Sequence, residues 1–225
     1  MMKMSACRSS RMLLLLRAAS MVGASALPAE PVTNLARAIY ELSSPPQIVV
    51  YATGGGINLA SYLLTTPGSS RCVLDVQMPY SRPSLTQVIG HEPTKYCSPA
   101  VAHDLAAAAF KRARSLQEAN GPAVGVGCTA ALRSEPLRRG AHRCFVAICT
   151  EGGTHELALT LAKGARSRQL EDAVVSRVAL VGLARACGVE LSAQQSDMWR
   201  LEPDAEGKSV ENEKLVASFT PASGV

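Results

Sequence analysis

The amino-acid sequence predicts an α/β fold, a three-layer α/β/α sandwich built around a mixed sheet. Short β-branched runs alternate with helical patterns, and two strand patterns near the end of the domain are joined by a short glycine turn. Alternating strands and helices favour parallel strands covered on both faces, and the hairpin adds antiparallel strands. With 47% hydrophobic and 18% charged residues in 225, the composition fits one globular domain with extensions.

The first half of the domain shows helix and strand patterns in turn. Apolar residues recur at helical spacing over 32–42, and the Ser-Ser-Pro-Pro segment that follows ends this helix. The next predicted elements are a strand at 48–51, a helix at 57–64, a strand at 72–78 and a short helix at 84–89.

The second half begins with the clearest helix in the chain. Ser98 is a typical N-cap, Pro99 suits the first helical position, and Asn-Gly-Pro at 120–122 ends the pattern. A polar loop is expected at 129–140. The other predicted elements are strands at 123–128, 143–150 and 155–161, and a long amphipathic helix at 168–187 that Gly188 ends.

The two ends differ in composition from the domain at residues 31–190. Residues 1–30 form an N-terminal extension whose spread cations and missing acidic residues before Glu30 are typical of a mitochondrial transit peptide. The alternative is that this segment is a disordered extension or results from a misassigned start codon. The protein would then be cytoplasmic, and both alternatives place it inside the cell. Residues 191–225 read as a flexible polar tail, with Trp199 docking locally.

Charge and composition exclude several classes of function. Much of the net charge of +5 comes from four cations in the N-terminal extension, so the remaining domain is nearly neutral and no nucleic-acid partner is expected. No stretch approaches the roughly 20 apolar residues of a membrane span. The cysteines and histidines show no metal-ligand spacing, so no metal and no cofactor are expected.

A glycine run directly after the first predicted strand is the first candidate site. Gly54, Gly55 and Gly56 allow positive φ and close approach of the backbone to a ligand. The helix that follows would direct its unpaired N–H groups toward the same turn. An anion is therefore expected there, although a short glycine run is often only a turn.

Three short motifs carry a resemblance to a known family: Thr53-Gly54-Gly55, Pro-Gly-Ser-Ser at 67–70, and Tyr80-Ser81. In this order and spacing, residues 31–188 resemble the C-terminal domain of CinA, which carries nicotinamide mononucleotide deamidase activity. The resemblance implies an α/β sandwich, a pocket at the glycine turn and a homo-oligomer.

Two positions depart from the family pattern where the resemblance implies the chemistry. Tyr51 stands where the family has a nucleophilic serine, and Leu85 stands where it has a lysine. A phenol displaces the oxygen by several bonds, and leucine cannot transfer a proton. Thr53, Ser81 and Cys128 are the candidates for a relocated nucleophile. No lysine is expected in the pocket, and His142 is the only imidazole near a matched segment.

The loop before the strand at 143–150 is the second candidate site. Arg138 and Arg139 stand where the resemblance implies a basic, substrate-binding segment, and two guanidiniums can hold a phosphate in bidentate fashion. Both a solvated loop and a phosphate site remain open for them. Arg133 is expected to be solvated.

These observations support three hypotheses. The first is a CinA-like domain, a pseudoenzyme candidate, that binds a phosphorylated pyridine nucleotide or related small molecule with little or no deamidation. The second is an active nicotinamide mononucleotide amidohydrolase with a relocated nucleophile, and the third is a non-catalytic interaction module. The expected ligand-binding residues are Tyr51, Thr53, Gly54, Gly55, Gly56, Tyr80, Ser81, Arg138 and Arg139.

Overall fold

The computed structural model describes residues 30–117, 121–204 and 206–222. The predicted N-terminal extension therefore lies outside the described residues, apart from Glu30, which opens the first helix. None of the helices in these ranges is long and apolar enough to cross a bilayer.

A six-stranded mixed sheet forms the middle layer, in the order β2-β1-β3-β4-β5-β6. Strand β1 runs parallel to both β2 and β3, whereas β3, β4, β5 and β6 pair antiparallel in succession. The strands are β1 Gln47–Thr53, β2 Val73–Gln77, β3 Ala123–Ala131, β4 Arg143–Thr150, β5 Gly153–Thr160 and β6 Lys214–Pro221. The predicted mixed sheet is confirmed, and β3 extends three residues into the expected loop.

The helices begin where the sequence supplies caps. Ser81, Ser98 and Ser167 each accept a hydrogen bond from a backbone N–H three residues later, which satisfies one of the free donors of the first turn. The helices are α1 Glu30–Tyr40, α2 Asn58–Leu64, α3 Arg82–Ile89, α4 Pro99–Leu116, α5 Arg168–Ala186 and α6 Ala193–Ser196, with 3-10 turns at Ser69–Arg71 and Met198–Leu201.

Helices cover both faces of the sheet, as the sequence predicts. Along β1, Ile48 and Val50 pack in the cluster formed with α1, α2 and α5, while Val49 packs on the opposite face with α3 and α4. Helix α4 lies directly on β3, because a Cβ at Gly127 would stand 2.1 Å from the carbonyl oxygen of Ala102. The three-layer sandwich is therefore confirmed.

The C-terminal segment corrects the expectation of a flexible tail at 191–225. Strand β6 completes the sheet, and Trp199 is only 1% exposed. Arg166 anchors the segment, since its Nη1 donates to Glu213 Oε1 at 2.5 Å and its Nη2 donates to the Glu202 carbonyl at 2.8 Å. Both side chains of the Arg166–Glu213 ion pair are 1% exposed. A buried, hydrogen-bonded pair of this kind is costly to break and fixes the path of the chain.

Candidate functional site

A cavity of about 490 Å³ opens at the carboxyl ends of β1 and β3. Five residues expected at the site from the sequence line it: Thr53, Gly54, Tyr80, Ser81 and Arg138. They come from four separate segments, namely the end of β1, the glycine turn, the start of α3 and the β3–β4 loop. The fold thus brings two of the three matched motifs, those at Thr53-Gly54-Gly55 and Tyr80-Ser81, to one cavity, whereas the Pro-Gly-Ser-Ser segment at 67–70 does not line it.

The other expected residues do not line this cavity: Tyr51, Gly55, Gly56, Cys128 and Arg139. Tyr51 is 5% exposed and packs with Leu85 in the cluster beneath α3 and α4. Burial raises the pKa of its phenol. The position that the resemblance assigns to the nucleophile is therefore part of the core.

The glycine turn is closed by the protein itself. Gly54 has a φ of 73°, and a Cβ there would stand 2.1 Å from the carbonyl oxygen of Ala130 on β3. The N–H groups of Ile57 and Asn58 both donate to the carboxylate of Asp172, each at 3.2 Å. The expected anion at this helix start is therefore a side chain of helix α5.

Cys128 is a buried thiol beside the same turn. Its Sγ donates to the carbonyl oxygen of Gly55 at 3.6 Å, and the residue has no exposed surface. Burial raises its pKa well above the ordinary thiol value, so the reactive thiolate is disfavoured. This environment is that of a structural cysteine.

Four cationic side chains line the cavity, and no Asp or Glu is among its lining residues: Arg82, Lys95, Arg138 and Arg143. The expectation of a pocket without lysine is therefore wrong. Arg82 directly follows the Tyr80-Ser81 motif and was within reach of sequence reasoning. Lys95 and Arg143 carry no such signal, because the fold brings them in from the α3–α4 loop and the first position of β4.

The α3–α4 loop forms one wall of the cavity. The Arg82 guanidinium lies 5.2 Å from the centre of the Tyr96 ring, and the Tyr96 hydroxyl donates to Glu92 Oε1 at 3.1 Å. Thr129 Oγ1 donates to the Tyr96 carbonyl at 2.9 Å, which ties this loop to β3. This hydrogen bond to β3 therefore fixes the position of this wall of the cavity.

Cys97, also in this wall, lies next to Arg143 at the start of β4 and is influenced by Arg138 of the β3–β4 loop. Burial raises the pKa of its thiol, and the positive charges of Arg143 and Arg138 oppose that rise. The net shift is upward, so at neutral pH Cys97 is a thiol that lines the cavity without being activated.

A buried His–Glu pair stabilises the β3–β4 loop. His142 Nδ1 lies 2.5 Å from Glu171 Oε1, and the Arg133 N–H donates to Glu171 Oε2 at 2.6 Å. Both side chains of the pair are almost fully buried. His142 is thus a structural residue at the end of the loop and does not line the cavity.

Arg168, at the start of α5, connects three parts of the site that the sequence did not link. Its guanidinium donates to the carbonyl oxygens of Arg133 at 2.9 Å and Gly54 at 3.1 Å, and to the Tyr80 hydroxyl at 3.4 Å. Arg133 itself donates from Nη1 to the Arg166 carbonyl at 3.4 Å. These contacts stabilise the edge of the cavity, where the glycine turn, Tyr80 and the residues after β3 meet.

Within the described ranges, no group of three or more His, Cys, Asp and Glu side chains is arranged to hold a metal ion. The chemistry of the cavity is instead that of hydroxyls, aromatic rings and cations, which suits an anionic organic ligand.

Comparison with known proteins shows which solved structures the sandwich resembles. No protein-family model and no curated protein matches the chain. Among solved structures, the competence/damage inducible protein CihA from Agrobacterium tumefaciens has a TM-score of 0.53 at 23% identity, covering 72% of this chain and 98% of that one. CinA superfamily proteins from Escherichia coli and Enterobacter cloacae have TM-scores of 0.51 and 0.53 at 14% and 12% identity.

Those two matches cover 69% and 75% of this chain and 88% and 99% of the respective neighbours. In general terms, the fold is therefore an α/β sandwich with a cavity at the carboxyl edge of its parallel strands. More specifically, the chain has a CinA-like fold, and the predicted fold resemblance is confirmed at low sequence identity.

Proposed function

We propose that this chain is a CinA-like domain that binds a phosphorylated pyridine nucleotide or a related small molecule, with weak or no deamidation. The cavity with four cationic and no acidic lining residues carries the proposal. Arginine and lysine side chains are the common protein ligands of phosphate, and a guanidinium can pair with two of its oxygens.

The position of the cavity supports ligand binding. Strands β1 and β3 are neighbours, yet the chain continues from β1 to β2 on one side and from β3 to β4 on the other. In open α/β sheets, ligands bind outside the carboxyl ends of strands where the chain diverges in this way. Thr53 at the end of β1 and Thr129 near the end of β3 both line the cavity.

The surroundings of the two replaced positions support the loss of deamidation. Leu85 is 2% exposed and packs with Tyr51, so neither position offers a nucleophile or a proton-transfer group. Ser81 Oγ accepts the N–H of Ser84 as the cap of α3, at 3.3 Å. In this proposal, Thr53 and Ser81 donate hydrogen bonds to the ligand.

The test is calorimetric titration of the full chain with nicotinamide mononucleotide, accompanied by an assay of released ammonia. We expect binding that weakens about ten-fold or more in Arg138→Ala, because a charge-assisted hydrogen bond is lost. Arg139→Ala is the matched control, since Arg139 does not line the cavity. Equal loss in both variants, or no binding at all, would contradict the proposal.

A second candidate function, an amidohydrolase with a relocated nucleophile, is favoured by one observation. Lys95 lines the same cavity as the hydroxyls of Thr53 and Ser81. A lysine near a hydroxyl can serve as the base that activates it. Ammonia release that disappears in Lys95→Ala and in one of Thr53→Val or Ser81→Ala would establish this function instead.

A further inference from the structure

The two edges of the sheet differ in how they are protected from pairing with another strand. The β2 edge is only five residues long, its register with β1 shifts between Ile48 and Val49, and its central residue is Asp75. The Asp75 carboxylate accepts a hydrogen bond from Arg112 Nε at 3.4 Å. Short length, an irregular register and a charge in the middle of the strand are features by which proteins prevent further pairing at an edge.

The β6 edge lacks these features along most of its length. Its register with β5 is continuous over all eight residues, and its only charged residue is Lys214 at one end, with Pro221 at the other. Residues 216–221 are exposed, and the apolar side chains of Val216 and Phe219 are each 51% exposed. Within the described ranges, β6 pairs with β5 alone. Its outer backbone N–H and C=O groups are therefore open to a further strand.

The sequence of β6 fits antiparallel pairing with a second copy of itself. A two-fold axis perpendicular to the sheet leaves each face on its own side, so opposed residues lie an even number of positions apart. With the axis at Ala217, two small side chains meet at the centre, and Leu215 lies opposite Phe219 of the second copy, which pairs two apolar side chains. Lys214 then lies opposite Thr220 of the second copy, so no like charges meet.

The symmetry favours a second copy of this chain over an unrelated strand. Every contact of the pairing occurs twice about a two-fold axis, and the exposed apolar side chains of β6 supply both partners of the apolar pair. The outer backbone groups of eight residues are satisfied at the same time, as in other cases of strand addition to a sheet edge.

We propose that this chain forms a two-fold dimer in which the β6 strands of two copies pair antiparallel and join the two sheets into one. The resemblance implies a homo-oligomer without identifying its interface, and β6 lies after residues 31–188, on which that resemblance rests. The dimer is independent of the proposed function, because no residue of β6 lines the cavity.

The test is sedimentation equilibrium of the full chain without ligand, for which we expect about twice the mass of one chain, 23.6 kDa. Ala217→Lys and Ala217→Glu each place like charges opposite one another at the axis, so each should raise the dissociation constant of the dimer about ten-fold or more. An equimolar mixture of the two variants should restore the dimer, because lysine then lies opposite glutamate. Both should keep the wild-type melting temperature, since Ala217 is exposed.

Ala222→Lys is the matched control, because it adds the same charge just beyond the end of β6 and should leave the dimer intact. A wild-type chain that stays at the mass of one chain up to its solubility limit overturns the proposal. Dimers that persist in both Ala217 variants overturn it as well, since another surface would then hold them. Failure of the mixture to dimerise overturns the two-fold pairing, because the two copies of residue 217 would not face each other.

Discussion

The glycine turn after β1 and the cavity next to it handle charge in opposite ways. At the turn, the Asp172 carboxylate accepts the two N–H groups at the start of α2, and β3 packs against the glycines. In the cavity, four cations have no acidic residue among the lining side chains. The turn is complete within the protein, whereas the cavity has unmatched positive charge.

This difference shows how a glycine run can mislead. Glycines after a strand allow close approach of any group, and here that group is the backbone of β3. The unmatched charge instead comes from arginines and a lysine that gather through the fold. The following variants test whether the turn is structural and the cavity is free to bind.

Gly54→Ala should have the largest effect. Its positive φ disfavours any side chain, and the new Cβ would stand 2.1 Å from a backbone oxygen that cannot move freely. We expect the free energy of unfolding to fall by roughly 4 kcal/mol in urea denaturation. Gly152→Ala is the control, because the nearest atom to its Cβ is the Thr150 hydroxyl at 3.7 Å. Similar losses in both variants would mean that the turn adjusts.

Glu171→Ala should rank second, because it leaves buried His142 and the Arg133 N–H without their shared acceptor. Removal of one member of a buried, hydrogen-bonded pair costs about 3 kcal/mol. The same denaturation experiment measures the loss. Glu206→Ala, which breaks an exposed pair with Lys208, should change stability by less than about 0.5 kcal/mol. A loss at Glu171 no greater than this would contradict the support role of the pair.

Asp172→Ala should cost less, since it removes a partly exposed helix cap. Two backbone N–H groups and the Ser176 hydroxyl lose their acceptor. We expect a loss of about 1.5 kcal/mol, in the range measured for N-caps. Asp197→Ala breaks only an exposed i,i+3 pair with Arg200 and is the matched control. Unchanged stability in Asp172→Ala would show that water caps this helix equally well.

The sequence predicts most of the fold because the patterns are local. The apolar runs of β1 and β3 and the Ser-Pro start of α4 each specify their element without distant information. The sequence does not predict strand β6, because most of its residues are exposed, and buried and exposed positions do not alternate along it. Its pairing with β5 and the adjacent Arg166–Glu213 pair are long-range contacts, which no local pattern reveals.

The site is predictable only where a motif marks it. Thr53, Tyr80 and Ser81 lie in matched motifs and line the cavity, and their role in binding stays a prediction. Lys95 and Asp172 were missed because long-range packing alone brings them to the cavity and the turn. A charged residue in a loop looks the same in sequence whether it faces solvent or a cavity.

The thiol pKa of Cys97 directly measures how burial and positive charge balance in the cavity, and the effect expected here is the smallest. Burial raises its thiol pKa and Arg143 opposes the rise, so the thiolate forms at higher pH than in a free cysteine. We expect its alkylation by iodoacetamide, followed by mass spectrometry, to keep rising beyond roughly pH 8.5, the ordinary thiol pKa. Arg143→Ala should shift the profile further upward, and buried Cys128 should stay unmodified as an internal control. A plateau below that pH would contradict this balance, because it would mean that the cations outweigh burial.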